Sequence, residues 1–307
     1  MLVDDVLRLG TRTSRLATWQ AEHVAAGLRA AWPGLGVELT PFVTRGDKVL
    51  DTPLPLIGGK GLFTAELEAA LREGRLDLAV HSLKDLPTED PDGLILGAIL
   101  PRENPRDVWV CEAGHTLQTL PEQAVIGTSS PRRAAQLKRL RPDLQIESIR
   151  GNVETRLRKA SAPPYDATVL AHAGLDRLGL LERGTAVLDF ETMLPAPGQA
   201  ALAVQIRADD ERVGRLIRAL DHTPTRMAVE AERAFLSALG GGCSAPIAAL
   251  GSIEDGTLQL RGRVSKTDGS HTIDVSCAVP VGPDAAVNAG QKAAELALEQ
   301  GASALLT

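Results

Sequence analysis

Cys243 follows three consecutive glycines in the stretch LGGGCSAPIAAL, Leu239–Leu250. Glycine loses more conformational freedom on folding than any other residue. A GGG tripeptide therefore marks a backbone that needs unusual angles, or a thiol that something bulky must approach. The competing reading is a tight turn with a small buried cysteine. Asp85, in HSLKDLP, ends an apolar run just before Leu86-Pro87. It either caps a turn, a common use of Asp before proline, or presents a carboxylate that stabilises a developing cation or carries a proton. His81 reads as structural, since no partner is visible in the sequence. The sharpest anion signal is GTSSPRR, 127–133. Thr128, Ser129 and Ser130 offer hydroxyls, and Arg132 and Arg133 fall in the first turn of a helix. Two cations there oppose the helix dipole unless an anion sits among them; the alternative is two solvated surface arginines. Arg150 and Arg156 flank another helix start, whereas Lys138, Arg139, Arg141, Arg158 and Lys159 read as surface.

These groups need elements to hold them. The first half alternates strand-like and helix-like stretches, which implies open α/β sheets with helices on both faces. In such sheets ligands bind at the carboxyl ends of the strands. Those ends read GTRTS, TRGD, HSLKDLP, GTSSPRR and SIRGN, each with a lysine or arginine. Ser14 is placed to cap a helix that Pro33-Gly34 stops, and Pro131 suits a first helical turn. The pattern restarts after PRENPRD, and the apolar strand near Ala201–Arg207 is expected to rejoin the first sheet. The last third predicts a helix running into the glycines, a hairpin around Thr267-Asp268-Gly269-Ser270 and a closing amphipathic helix. The expected domains are 1–100 with 200–219, 105–195, and 222–307.

Composition bounds the function. The chain has 307 residues, 44% hydrophobic and 23% charged, as in ordinary globular proteins, and only 3% aromatic, so its core is aliphatic. No apolar run of about 18 residues suggests a membrane span, and the start does not read as a signal peptide. Three widely spaced cysteines imply neither zinc nor a disulfide framework, so a reducing cytoplasm is expected. A net charge of -6 argues against a general nucleic-acid binder. Yet 128–160 carries nine basic residues against three acidic ones, which suits a compact anionic ligand. Neither GxGxxG nor a Walker lysine loop is present, so no nucleotide cofactor is indicated. A polycarboxylate tethered to Cys243 accounts together for the basic strand ends, the lone carboxylate and the glycine-flanked thiol. The rivals are a two-lobed receptor for a small anion, an anion-binding regulatory domain, and a cysteine hydrolase, which would want a histidine partner for its thiol.

The motifs TRTSRLATWQA, TRGD, GGKGLF, DLAVHSLKDLPTE, GTSSPRR, IRGNVETRL, AGLDRLGL, LPAPGQAALAV and GGGCSAPIAA occur in this order nearly end to end. Together they resemble the porphobilinogen deaminase (hydroxymethylbilane synthase) family. The resemblance implies two α/β domains like type II periplasmic binding proteins, plus a small C-terminal α+β domain. It implies a dipyrromethane cofactor in thioether linkage to Cys243, on which four porphobilinogen molecules are joined with loss of ammonia. Asp85 would be catalytic. Ser14, Lys84, Asp85, Thr128, Ser129, Arg132, Arg133, Arg150 and Gly151 would bind the cofactor. Arg12, Ser14, Lys60, Arg150, Arg156, Arg177 and Gln199 would bind substrate. No metal, nucleic acid or membrane partner is implied, and a monomer is expected. The chain departs from the family pattern at Leu56, where lysine is frequent, at Ala200, where glycine is, and at Ser244, where glutamine is. Pro131 stands where an aliphatic residue is usual.

Overall fold

The computed structural model describes residues 6–44, 46, 64–242 and 245–306. Its strands are β1 (Val6–Arg12), β2 (Gly36–Phe42), β3 (Leu78–Ser82), β4 (Leu94–Ile99), β5 (Asp107–Val110), β6 (Val125–Gly127), β7 (Gln145–Glu147), β8 (Ala167–Ala171), β9 (Ala186–Val187), β10 (Leu202–Arg207), β11 (Ile247–Glu254), β12 (Thr257–Ser265) and β13 (Thr272–Pro280). Its helices are α1 (Arg15–Ala31), α2 (Ala65–Arg72), α3 (Pro131–Leu140), α4 (Val153–Ala160), α5 (His172–Arg177), α6 (Glu211–Ile217), α7 (Thr223–Ala238) and α8 (Ala285–Glu299).

The fold is mixed α/β, with two sheet–helix domains and a small C-terminal domain built on three strands. The chain divides into two compact units. One holds the described residues up to Arg102 together with Ala201–Arg226; the other holds Glu103–Ala200 and the chain from Met227 onward.

In the first unit the sheet order is β2-β1-β3-β10-β4. β1 runs parallel to β2 and β3, and β10 runs antiparallel to both β3 and β4. The returning strand thus joins the first sheet, as its apolar pattern predicts. Ser14 caps α1 by accepting the Ala17 N–H at 3.3 Å, and the helix stops at Trp32 before Pro33. Gln20, Ala21, Val24, Ala25 and Leu28 form the buried stripe of α1, at the spacing a 3.6-residue period requires. The core joins that stripe to Leu7 and Leu9 of β1 and to Leu202, Val204 and Ile206 of β10.

In the second unit the α/β sheet has the order β7-β6-β8-β5-β9, with β5 the antiparallel strand. The two sheets share one plan: two parallel neighbours flank a first strand, then an antiparallel strand, then an edge. Only the chain position supplying the antiparallel strand differs. The C-terminal sheet, β11-β12-β13, is antiparallel throughout. The hairpin around Gly269 is present, and β11 adds a third strand where the sequence pattern suggested only an apolar run. α8 covers this sheet with small side chains, among them Ala289, Ala293 and Ala297.

Candidate functional site

In the first unit, Arg12 closes β1, two residues before the Ser14 cap. β3 ends at Ser82, whose hydroxyl accepts the Gln20 side-chain amide at 2.9 Å. A single 3-10 turn, Leu83–Asp85, follows and carries Lys84 and Asp85. Leu83 is fully buried, and its N–H donates to the Ala201 carbonyl at 3.0 Å. The turn is therefore tied to the entry of β10, while Asp85 stays exposed at the carboxyl end of β3. His81, on β3 itself, is buried, and burial holds its pKa down to about 4. The nearby Arg12 cation acts in the same direction. His81 is thus neutral at pH 7, in keeping with a structural residue.

In the second unit, Gly127 ends β6 and GTSSPRR turns into α3. Pro131 occupies the first helical turn, and Ser130 caps the helix, accepting the Arg133 N–H at 3.4 Å. Thr128 is buried, with its N–H on the Glu147 carbonyl at 2.8 Å. Ser129 pairs with the Ser148 hydroxyl at 2.8 Å and donates to the Ile149 carbonyl at 2.9 Å. These bonds tie the end of β6 to the end of β7, just before the buried Arg150. Gly151 has a φ of +119°, in the region that glycine favours. Its carbonyl accepts Arg156 Nε at 2.8 Å, and the next residue, Asn152, caps α4.

Arg132 and Arg133 are not surface residues: they are 4% and 6% exposed. The anion among them is Asp107, wholly buried at the start of β5. Its two carboxylate oxygens meet Arg133 at 2.7 Å and Arg132 at 2.8 Å. Gln199 Nε2 adds a bond to Asp107 at 3.0 Å and another to the Pro105 carbonyl at 2.7 Å. The sequence reading missed Asp107. Its signal was an acid opening the otherwise apolar strand DVWV. One carboxylate against two guanidinium groups leaves the cluster net positive at the N-terminus of a helix, a setting that favours a further anion. Nε of Arg132 and Nε of Arg133 are buried with no hydrogen-bond partner among the described residues. That surplus of donors and positive charge suits an anionic ligand.

Arg177 ends α5, bonded to Glu103 at 3.1 Å and to the Ala200 carbonyl at 2.8 Å. Burial lowers its pKa, against the pull of Glu103. Ala200 sits at φ +72°, a left-handed conformation that costs a residue with a Cβ about 1–2 kcal/mol. A glycine would take that backbone without strain.

Lys60, Cys243, Leu56 and Ser244 lie outside the described residues. The glycines that lead to the thiol are described. Gly240, at φ +65°, ends α7, and the N–H groups of Gly240 and Gly241 satisfy the carbonyls of Ser237 and Leu236, as helix C-caps do. Gly242 has open space around it. The first two glycines thus serve the helix end, and the third is uncrowded. Among the described residues no group of His, Cys, Asp and Glu is assembled to hold a metal, and no helix is long and apolar enough to cross a membrane.

Comparison with known proteins gives two family matches. Residues 7–215 match "Porphobilinogen deaminase, dipyromethane cofactor binding domain", and residues 226–299 match "Porphobilinogen deaminase, C-terminal domain". Three similar curated proteins are all described as porphobilinogen deaminase. That of Moorella thermoacetica is 50% identical over 301 residues, covering 98% of this chain and 95% of the relative. That of Syntrophotalea carbinolica is 51% identical over 300 residues, with coverage of 98% and 95%. That of Syntrophomonas wolfei is 47% identical over 300 residues, with coverage of 98% and 97%. Among solved structures, the methionine binding protein MetQ aligns with a TM-score of 0.44 at 15% identity, covering 70% of this chain and 89% of that one.

Proposed function

The chain belongs to the porphobilinogen deaminase family, and from that premise we propose how its own residues carry the reaction. The enzyme is a transferase of tetrapyrrole biosynthesis. It joins four porphobilinogen molecules head to tail, releases ammonia, and hydrolyses the product to hydroxymethylbilane. Its first matched region is the dipyrromethane-binding one. We take the attachment to be a thioether at Cys243, and the molecule to be a cytoplasmic monomer. We keep the three-domain division at 1–100 with 200–219, 105–195 and 222–307; the three separate sheets support it.

When bound, the dipyrromethane supplies the pyrrole end on which the substrate units are joined. Arg132, Arg133, Arg150 and Ser129, with Thr128, Gly151, Ser14 and Lys84, hold its carboxylates and backbone. Asp107 keeps the two adjacent arginines in place and leaves each with a donor to spare. Arg12, Lys60, Arg156, Arg177 and Gln199 meet the carboxylates of incoming substrate. Each pyrrole brings two such groups, so negative charge grows with the chain and must be met by spread-out cations. Asp85 accepts the pyrrole N–H groups and stabilises the positive charge left on the substrate when ammonia departs. A carboxylate suits that task because it is held on a tied turn and exposed.

The observation that carries this reading is the buried Asp107–Arg132–Arg133 cluster with its unused Nε donors. Intact mass of the denatured chain tests the tether. A dipyrromethane-sized excess, absent from Cys243→Ser, is expected; a bare mass that stays bare after incubation with porphobilinogen refutes it. For Asp85→Asn, the expected outcome is an unchanged fold and retained adduct with turnover reduced by about 100-fold or more. Near-normal turnover would remove Asp85 from the chemistry.

A further inference from the structure

Arg263 is a buried cation of the C-terminal sheet that the chemistry above does not use. It lies on β12 opposite Asp274 of β13 and is 2% exposed. Its Nε and Nη2 meet the Asp274 carboxylate at 2.6 and 2.9 Å, a two-pronged pairing that already neutralises it. Nη1 nevertheless leaves the sheet. It donates to Gln136 Oε1 on α3 at 2.9 Å and to the Glu191 carbonyl at 3.1 Å.

Gln136 is itself buried, and its amide has one satisfiable orientation. Oε1 accepts both Arg263 and the Leu194 N–H, the latter at 2.8 Å, while Nε2 donates to the Leu194 carbonyl at 3.1 Å. Reversal would set its NH2 against two donors and its oxygen against a carbonyl. The same Leu194 carbonyl takes Arg132 Nη1 at 2.7 Å, and Arg132 Nη2 binds Asp107. A continuous chain of hydrogen bonds therefore runs from Asp107 through Arg132, Leu194, Gln136 and Arg263 to Asp274. One end is the arginine pair. The other is the sheet of the domain that carries Cys243. The tip of the same hairpin abuts α3, where a Cβ on Gly269 would lie 2.7 Å from the Ala135 carbonyl oxygen.

We propose that Gln136 and Arg263 are positioning residues that fix the Arg132–Arg133 pair in register with the cysteine-bearing domain. The proposal rests on the reading that Cys243 holds the cofactor and that this pair holds its carboxylates. A cofactor tethered at one point and clamped at another tolerates little slip between the two. An apolar contact of equal size would join α3 to β12 without specifying one register, whereas directional hydrogen bonds between buried groups, with Gln136 satisfied in one orientation alone, permit one arrangement.

The test uses full-length Gln136→Met, Arg263→Met and the double variant. Intact mass, thermal midpoint, and kcat and KM for porphobilinogen are read for each. The expected result is the wild-type adduct mass, KM within about twofold, and kcat lowered about tenfold in each single variant. In the double, the loss is no greater than in the worse single, because the two residues act through one bond. A lowered midpoint with wild-type kcat would overturn the proposal and leave a stabilising contact only. Additive losses in kcat would overturn it as well. Should Arg263→Met fail to fold, Asp274→Asn on the exposed side of the pairing is the milder variant. Its kcat should fall about two- to fivefold at an unchanged midpoint, and an unchanged kcat counts against the proposal. A wild-type chain without adduct, or an adduct that persists in Cys243→Ser, sinks the underlying reading instead, and the mass alone tells the two failures apart.

Discussion

At the scale of single residues, the arginine pair shows how far local reasoning reaches. The sequence pattern left two readings of Arg132 and Arg133, an anion among them or two solvated surface arginines, and their burial decides for the first. The pattern did not say that the chain supplies that anion itself, because Asp107 lies on another strand and only the fold brings it near. Ser14 was legible as a cap, since a cap and its N–H partner lie within one turn. His81 yields a prediction of its own. Its pKa falls from 6.5 to about 4 on folding because it is buried. Between these values the unfolded chain binds the extra proton, so stability is full above about pH 6.5, falls as pH drops toward 4, and stays lost below. The loss is about 3 kcal/mol at most. Urea unfolding of His81→Gln should therefore show a smaller drop between pH 7.5 and pH 4.5 than the wild type. An equal drop would show that His81 is not the source of this pH dependence.

At the scale of elements, periodicity and caps found α1, α3, α4, α7 and α8, and the β12–β13 hairpin. β11 escaped because Ile247, Ala248 and Ala249 are all buried, so no alternation marks it as a strand. The hairpin tip was legible as a turn, but its docking against α3 was not. That docking makes Gly269 a doubly constrained position. It has a φ of +74°, and an added Cβ would meet the backbone of α3 at 2.6 Å. Gly256, in the β11–β12 turn, has a φ of +71° with open space around it. Gly256→Ala should cost about 1 kcal/mol from backbone strain alone. Gly269→Ala should cost about 2–4 kcal/mol, since the hairpin must also move off the helix. Denaturant unfolding of the two variants gives the difference; equal losses would mean that the tip does not bear on α3.

At the scale of the whole molecule, the alternation of elements disclosed two α/β sheets and the return of the chain to the first. Their common plan was hidden because the antiparallel strand enters from opposite chain directions, β10 late in one sheet and β5 early in the other. The first unit is consequently discontinuous. A fragment ending at Ala200 lacks β10, which lies between β3 and β4 and gives Leu202, Val204 and Ile206 to the core. In that fragment the amides of β3 should exchange with solvent as in an unfolded chain, and a fragment ending at Arg226 should regain their protection. Slow exchange of β3 in the shorter fragment would show that the sheet closes without its returning strand.

The position of β10 also bears on how the protein is made. On the ribosome, β5 to β9 have all been synthesised by Val187, whereas the first sheet waits for Leu202–Arg207. Domains usually fold from the N-terminus as synthesis proceeds. Here the order is inverted: the second sheet is complete while the first, though older, still lacks its inner strand. The nascent N-terminal segment must then keep the apolar faces of β1, β3 and β4 from mispairing while the whole second sheet is translated.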